Sequence, residues 1–207
     1  MKNAFATMLA MQDRMNKKVH ADWIAQQFEW YRAIWIECGE LIEHYGYKWW
    51  KKQTSDMDQV KLEVIDIWHF GMSALFDTAL SPEQLAQQME DSLAGYHFSG
   101  QGVREATEAL AQHSLASKGF SVPLFWDLLH AVDMSFDDLY RQYVGKNVLN
   151  FFRQDNGYKD GTYIKQWQGR EDNEHLVEIL ATLDSGSDSY GDDVYSALSE
   201  RYRALAQ

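Results

Sequence analysis

Two pairs of acidic residues interrupt what would otherwise be strongly apolar segments: Glu37 and Glu40 in WIECGEL, and Glu63 and Asp66 in KLEVIDIWHF. On an α-helix, residues three apart are separated by about 60° around the axis and project from one side. Each pair therefore sets two like charges together. On an exposed helix that repulsion costs a few tenths of a kcal/mol, roughly. Away from water it costs far more, because a buried charge must be paired or bound to a metal ion. A solitary Glu-x-x-Glu is commonly solvated helix surface. Here Trp35 and Ile36 precede the first pair, and Val64, Ile65 and Ile67 surround the second. The short connection between the two segments makes antiparallel neighbours the expected arrangement. Four carboxylates would then meet at one point. Oxygen-only ligation suits hard divalent cations, Mg²⁺ above all, with Mn²⁺ as a substitute. Glu43, six residues from Glu37, has drifted around the helix and is expected at the surface or behind the ligands.

The rest of the chain reads as helix too. Residues 4 to 17 carry Phe5, Met8, Leu9, Met11 and Met15 in a helical pattern, and residues 21 to 45 read as one long amphipathic helix ending near Gly46. Thr54, Ser55 and Asp56 offer N-caps for the next helix, which carries Val60, Val64, Ile67, Trp68 and Met72. SPEQ at 81–84 is a helix start, with Ser81 as N-cap, Pro82 in the first turn and Gln84 in the capping-box position. Residues 102–118 and 122–132 look helical. Ser135 and Asp138 form a further capping box, opening a helix to about residue 154. A Gly-containing loop follows, then an ordered IKQW and an acidic, Gly- and Ser-punctuated region before a last helix. No alternating strand pattern stands out, and two prolines in 207 residues accord with long helices. The expected class is all-α: a helical bundle with a core of antiparallel helices, one domain over 1–207. Within it lie carboxylate helices at 20–77, a phosphate-binding helix and loop at 136–167, and an acidic region at 171–207.

Charge and cysteine content narrow the functions. A net charge of −12 repels a nucleic-acid duplex, whose binding depends on basic phosphate contacts. Cys38 has no partner for an intrachain disulfide, which points to a reducing cytoplasm. The N-terminal apolar run is broken by Gln12, Asp13 and Arg14, so no secretion signal is expected, and no apolar run nears the ~20 residues of a membrane span. An anionic small molecule would still bind through metal ions or a local basic cluster. KNVLNFFR supplies one: Lys146, Asn150 and Arg153 stand at i, i+4 and i+7, on one helix face. Arg153 can fork onto a phosphate, and Lys159 and Lys165 extend the stripe through the Gly-containing loop, which could order over a phosphate chain. No GxxxxGK[ST] motif is present, which argues against a Walker-type NTPase.

ECGEL with EVID resembles the metal-binding signature of the all-α nucleoside triphosphate pyrophosphatases, which include MazG-like proteins and the dimeric dUTPases. MLAMQDRMN, YKWWK, IWHF and above all YVGKNVLNFFRQDNGYKDGTYIKQW are similar to the dimeric dUTPases in particular. The resemblance covers residues 5–75 and 140–167. It implies Mg²⁺-dependent hydrolysis of dUTP, and of dUDP, by water attack on phosphorus without a covalent intermediate, in a homodimer. It implies Glu37, Glu40, Glu63 and Asp66 as metal ligands, with Glu40 orienting the attacking water. It implies Gln12, Asn16, Trp49, His69 and Phe70 as uracil and sugar contacts, and Lys146, Asn150, Arg153, Tyr158 and Lys165 as phosphate contacts.

The residue types agree with those roles. Trp49 and Phe70 can stack on a pyrimidine, and the Gln12 and Asn16 amides, at i and i+4, can read its donor–acceptor edge. An amide can turn over, however, so dCTP or another pyrimidine nucleotide stays open as the substrate. Asp66-x-x-His69 does not complete a di-iron pattern, since the first acidic pair lacks a matching histidine. The alternative of a different class is a non-catalytic helical interaction protein whose acids are surface.

Overall fold

The computed structural model describes residues 1–187 and 189–205. Among them are nine α-helices and one two-stranded hairpin, in keeping with the all-α expectation. The chain divides into two compact units, residues 1–139 and residues from Tyr140 onward.

The first unit contains α1 (Lys2–Val19), α2 (Trp30–Tyr45), α3 (Met57–Leu75), α4 (Pro82–Ser92), α5 (Val103–Ser117), α6 (Val122–Ala131) and the start of α7 (Phe136–Asp155). The caps fall where the sequence puts them. Asp56 accepts from the Gln59 amide at 3.2 Å, Ser81 and Gln84 cap each other reciprocally, and so do Ser135 and Asp138. Helices α2 and α3 pack antiparallel: the Asp56 amide returns to the His44 carbonyl at 3.0 Å, and Glu37, further back along α2, meets Asp66, further along α3.

One boundary differs. The helix expected from residue 21 begins at Trp30; residues 21–27 form turns, with Gln27 at φ 50°. The cause is tertiary. Trp23 is buried, its Nε1–H donates to Asp13 Oδ1 at 3.0 Å, and its ring meets Trp30 and Phe76 edge-on. That anchorage on α1 outweighs the helical periodicity of the segment.

Trp68 is the centre of this unit's core. It is fully buried, stacks on Phe125 with centroids 4.7 Å apart, touches Phe5, Phe120 and Trp126, and donates its Nε1–H to Met8 Sδ at 3.4 Å. Full burial of such side chains stabilises by about 1.5–3 kcal/mol each, and it fixes the rotation of α3. With Trp68, Val64 and Ile67 turned inward, Asp66 and Phe70 fall at the half-buried edge of the helix. The end of α2 is held by Arg104 of α5, whose guanidinium donates to the Gly46 carbonyl and lies over the Tyr45 ring.

The second unit holds the rest of α7, the hairpin β1 (Gln166–Trp167) and β2 (Arg170–Glu171), α8 (Asp172–Leu180) and α9 (Tyr190–Leu205). The end of the ordered IKQW, Gln166–Trp167, is thus a strand that turns through Gln168 and Gly169, both at positive φ, as a two-residue hairpin loop requires. Helix α8 was not legible beforehand; Glu171 and Glu174 make its capping box. The core here is aromatic. Trp167 is fully buried, stacked on His175 at 5.1 Å, and Phe152 meets Tyr163, Tyr195 and Tyr202.

Candidate active site

The two acidic helices do bring carboxylates together. Glu37 of α2 with Glu63 and Asp66 of α3 each offer an oxygen within 4.8 Å of the others. Glu63 is buried and Glu37 and Asp66 half-buried, so the charges are partly out of water. The physical consequence is visible at Glu37. Burial first, and then the charges of Asp66, Glu63 and Glu40, push its carboxyl up to about 8, with a hydrogen bond to Glu63. A carboxyl so placed would keep its proton near neutral pH unless a cation offset the neighbouring charges. Glu40 is near enough to add to this repulsion, yet its side chain is exposed and lies outside the group of three. Glu43 is exposed and pairs with Lys48 at 2.6 Å. Trp35 and Ile36, expected to make the first pair's surroundings apolar, are 39% and 43% exposed. His44 lies 3.6 Å from Glu63.

Three oxygen donors converging with mutual repulsion fit a hard divalent cation. Glu37, Glu63 and Asp66 would hold it.

A second cluster lies between α1 and α3. Gln12, Asn16 and His69 are buried together, with Ser73 at 2% exposure. Gln12 Nε2 donates to Asn16 Oδ1 at 3.2 Å and to Ser73 Oγ at 3.0 Å; Asn16 Nδ2 donates to the same Oγ at 2.9 Å. Gln12 Oε1 lies 2.9 Å from His69 Nδ1. Ser73 donates its hydroxyl hydrogen to the His69 carbonyl at 3.0 Å. Phe70 is half-buried and stacks on Trp30. Trp49 is outside this network. It is 91% exposed and lines a cleft of about 270 Å³ with Tyr45, Tyr47, Lys48, Lys51 and Arg104.

In the second unit, Lys146 is buried, and Asn150 accepts from Arg153 at 3.2 Å. Arg153 is gripped through Nε and Nη2 by both oxygens of Asp172, at 2.8 and 2.7 Å. Asp172 is fully buried and also accepts from the Tyr163 hydroxyl at 2.8 Å. Tyr158 is half-exposed, Lys159 is exposed, and Lys165 pairs with Glu171 at 3.2 Å. The fork of Arg153 expected to face phosphate is thus engaged by a carboxylate.

The comparison with protein families is decisive at this point. A family model described as dUTPase matches residues 4–158. The chain belongs to the dUTPase family. Membership makes it an enzyme, a dUTP diphosphatase, and removes the alternative of a non-catalytic interaction protein. Enzymes of this family use a divalent metal in general, which agrees with the acidic cluster. The matched span contains α2 and α3, the Gln12–Asn16–His69–Ser73 network and α7; it ends before Asp172. No match to a curated protein was found. Among the described residues, no helix is long and apolar enough to cross a membrane.

Sequence reasoning missed Ser73 and Asp172. Ser73 stands four residues after His69, on the same face of α3, and that spacing was the available signal. Asp172 carried none, being one acid in an acidic stretch.

Proposed function

We propose that the enzyme hydrolyses dUTP to dUMP and pyrophosphate, and dUDP to dUMP and phosphate, with Mg²⁺ as its ion. The observation that carries this is the convergence of Glu37, Glu63 and Asp66 inside the family-matched span. A bound divalent ion supplies charge neutralisation between carboxylate and phosphate oxygens, polarises phosphorus and lowers the pKa of water. Glu40, exposed beside the trio, completes the ligand set or takes the proton of the attacking water. Water attacks phosphorus, the bond to the bridging oxygen breaks, and pyrophosphate leaves.

Gln12, Asn16 and His69 contact the base, with Phe70 and Trp49 beside it. The supporting features are the buried amide cluster on α1 and α3 and the exposed ring of Trp49. Lys146, Asn150, Arg153, Tyr158 and Lys165 contact the phosphates, Arg153 only once its fork leaves Asp172; their support is a shared stretch of α7 and the loop after it. The chain works as a homodimer, in which the exposed Trp35 and Ile36, adjacent on α2, offer apolar area for a second copy to cover. A reducing cytoplasm suits the lone Cys38.

Pyrophosphate release from each common deoxynucleoside triphosphate with Mg²⁺ tests the substrate. dUTP is expected to be turned over far faster than dCTP or dTTP. Equal rates, or a preference for dCTP, would overturn the substrate assignment while leaving the family intact.

A further inference from the structure

The choice between a uracil and a cytosine edge depends on which way round the Gln12 and Asn16 amides sit. We propose that Ser73 fixes that choice, locking both amides in the orientation that accepts uracil and refuses cytosine. The inference rests on the assignment of Gln12 and Asn16 to the base.

The lock follows from counting hydrogens. A serine hydroxyl has one hydrogen and two lone pairs. The hydrogen of Ser73 is committed to the His69 carbonyl, 3.0 Å away and one turn back along α3. Anything else that approaches Oγ must therefore donate. Gln12 Nε2 at 3.0 Å and Asn16 Nδ2 at 2.9 Å occupy the two lone pairs. Turning either amide over would set a carbonyl oxygen about as close to Oγ with no hydrogen between them. With Ser73 at 2% exposure, bulk water does not reach that contact to relieve it. An unsatisfied buried acceptor of this kind is disfavoured strongly enough to hold one orientation.

The locked state has a definite edge. Both hydrogens of Gln12 Nε2 are used, on Ser73 and on Asn16 Oδ1. Asn16 keeps one N–H and one Oδ1 lone pair. Uracil presents O4 as acceptor beside N3–H as donor, and these match an amide's N–H and oxygen. Cytosine presents the reverse, an N4 amino donor beside an N3 acceptor. To meet it, Asn16 would have to turn over, which Ser73 forbids. Ser73 is thus a positioning residue for specificity and touches no reacting atom.

The test is the ratio of kcat/KM for dUTP over dCTP, with Mg²⁺, in the full chain. Ser73→Ala removes the hydroxyl, and Ser73→Cys replaces it by a poor acceptor of similar size, which guards against a collapsed alanine variant. In both, the ratio is expected to fall by about tenfold or more, since a polar edge that no longer demands its complement discriminates weakly. Ser73→Thr, which keeps a hydroxyl, is expected to retain the ratio. Rates falling for both nucleotides by one factor, with the ratio unchanged, would overturn the proposal and leave Ser73 a packing residue. A ratio lost equally in the threonine variant would do the same. Asn16→Ala separates the two levels: if it leaves the ratio untouched, the base assignment fails, whatever Ser73 does.

Discussion

Replacing Glu37 by glutamine should change how the stability of the metal-free enzyme depends on pH. The Glu37 carboxyl sits near its ordinary 4.5 in the unfolded chain and is pushed up to about 8 in the folded one, by burial and then by Asp66, Glu63 and Glu40. Between those values the folded state holds the extra proton. Its contribution to stability is therefore complete below pH 4.5 and lost as the pH rises through 8. Taken in full, a shift of that size is worth about 5 kcal/mol. Glu37 is only half-buried, and solvent screening reduces the expected loss to about 1–2 kcal/mol. For a chain of this size that is about 2–8 °C in melting temperature. The assay is thermal unfolding by circular dichroism from pH 5 to 9 in the presence of a chelator. The wild type minus Glu37→Gln difference cancels the histidines and the general acidic repulsion. The wild type should lose stability relative to the variant as pH rises. Parallel curves would refute the account of the cluster, as would a difference of opposite sign. The same proton should appear on adding Mg²⁺ at pH 7: close to one is released per site, countable by titration calorimetry in two buffers of different ionisation enthalpy.

Asp172→Asn leaves the largely buried guanidinium of Arg153 without its carboxylate and should cost about 3–5 kcal/mol, read by denaturant unfolding. Gly71→Ala sets a methyl 2.5–2.7 Å from atoms of the buried Phe120 ring, and should cost about 1–3 kcal/mol by the same method. Burial, and next the Glu37 charge, push the Cys38 thiol up to about 12; the native enzyme should resist alkylation at pH 8 and react only once unfolded.

The convergence of the acids lay open in the sequence because it depends on local spacing. Glu37, Glu63 and Asp66 follow from helical periodicity, and their meeting follows from a short connection. Asp56, Ser81 and Ser135 were readable as caps because a cap is a contact over three residues. What escaped depends on contacts distant in sequence. The start of α2 at Trp30 is set by Trp23 bonding to Asp13 on another helix. Ser73 gains its meaning from amides on α1, 57 and 61 residues away. Asp172 is one acid among many until Arg153 is seen to hold it. Glu40 stands where periodicity puts it, close enough for its charge to act on Glu37, though it is exposed and outside the group of three.

The central claim is that the acids of α2 and α3 act by holding a divalent ion on which dUTP hydrolysis depends. It is tested most directly by stripping the enzyme with a chelator and titrating Mg²⁺ back while following pyrophosphate release from dUTP, in the wild type and in Asp66→Asn. Activity should vanish on stripping and return with Mg²⁺ in the wild type, while the folded variant stays inactive. Hydrolysis that persists without the ion, or an Asp66→Asn enzyme restored by the same Mg²⁺ concentration as the wild type, would contradict it.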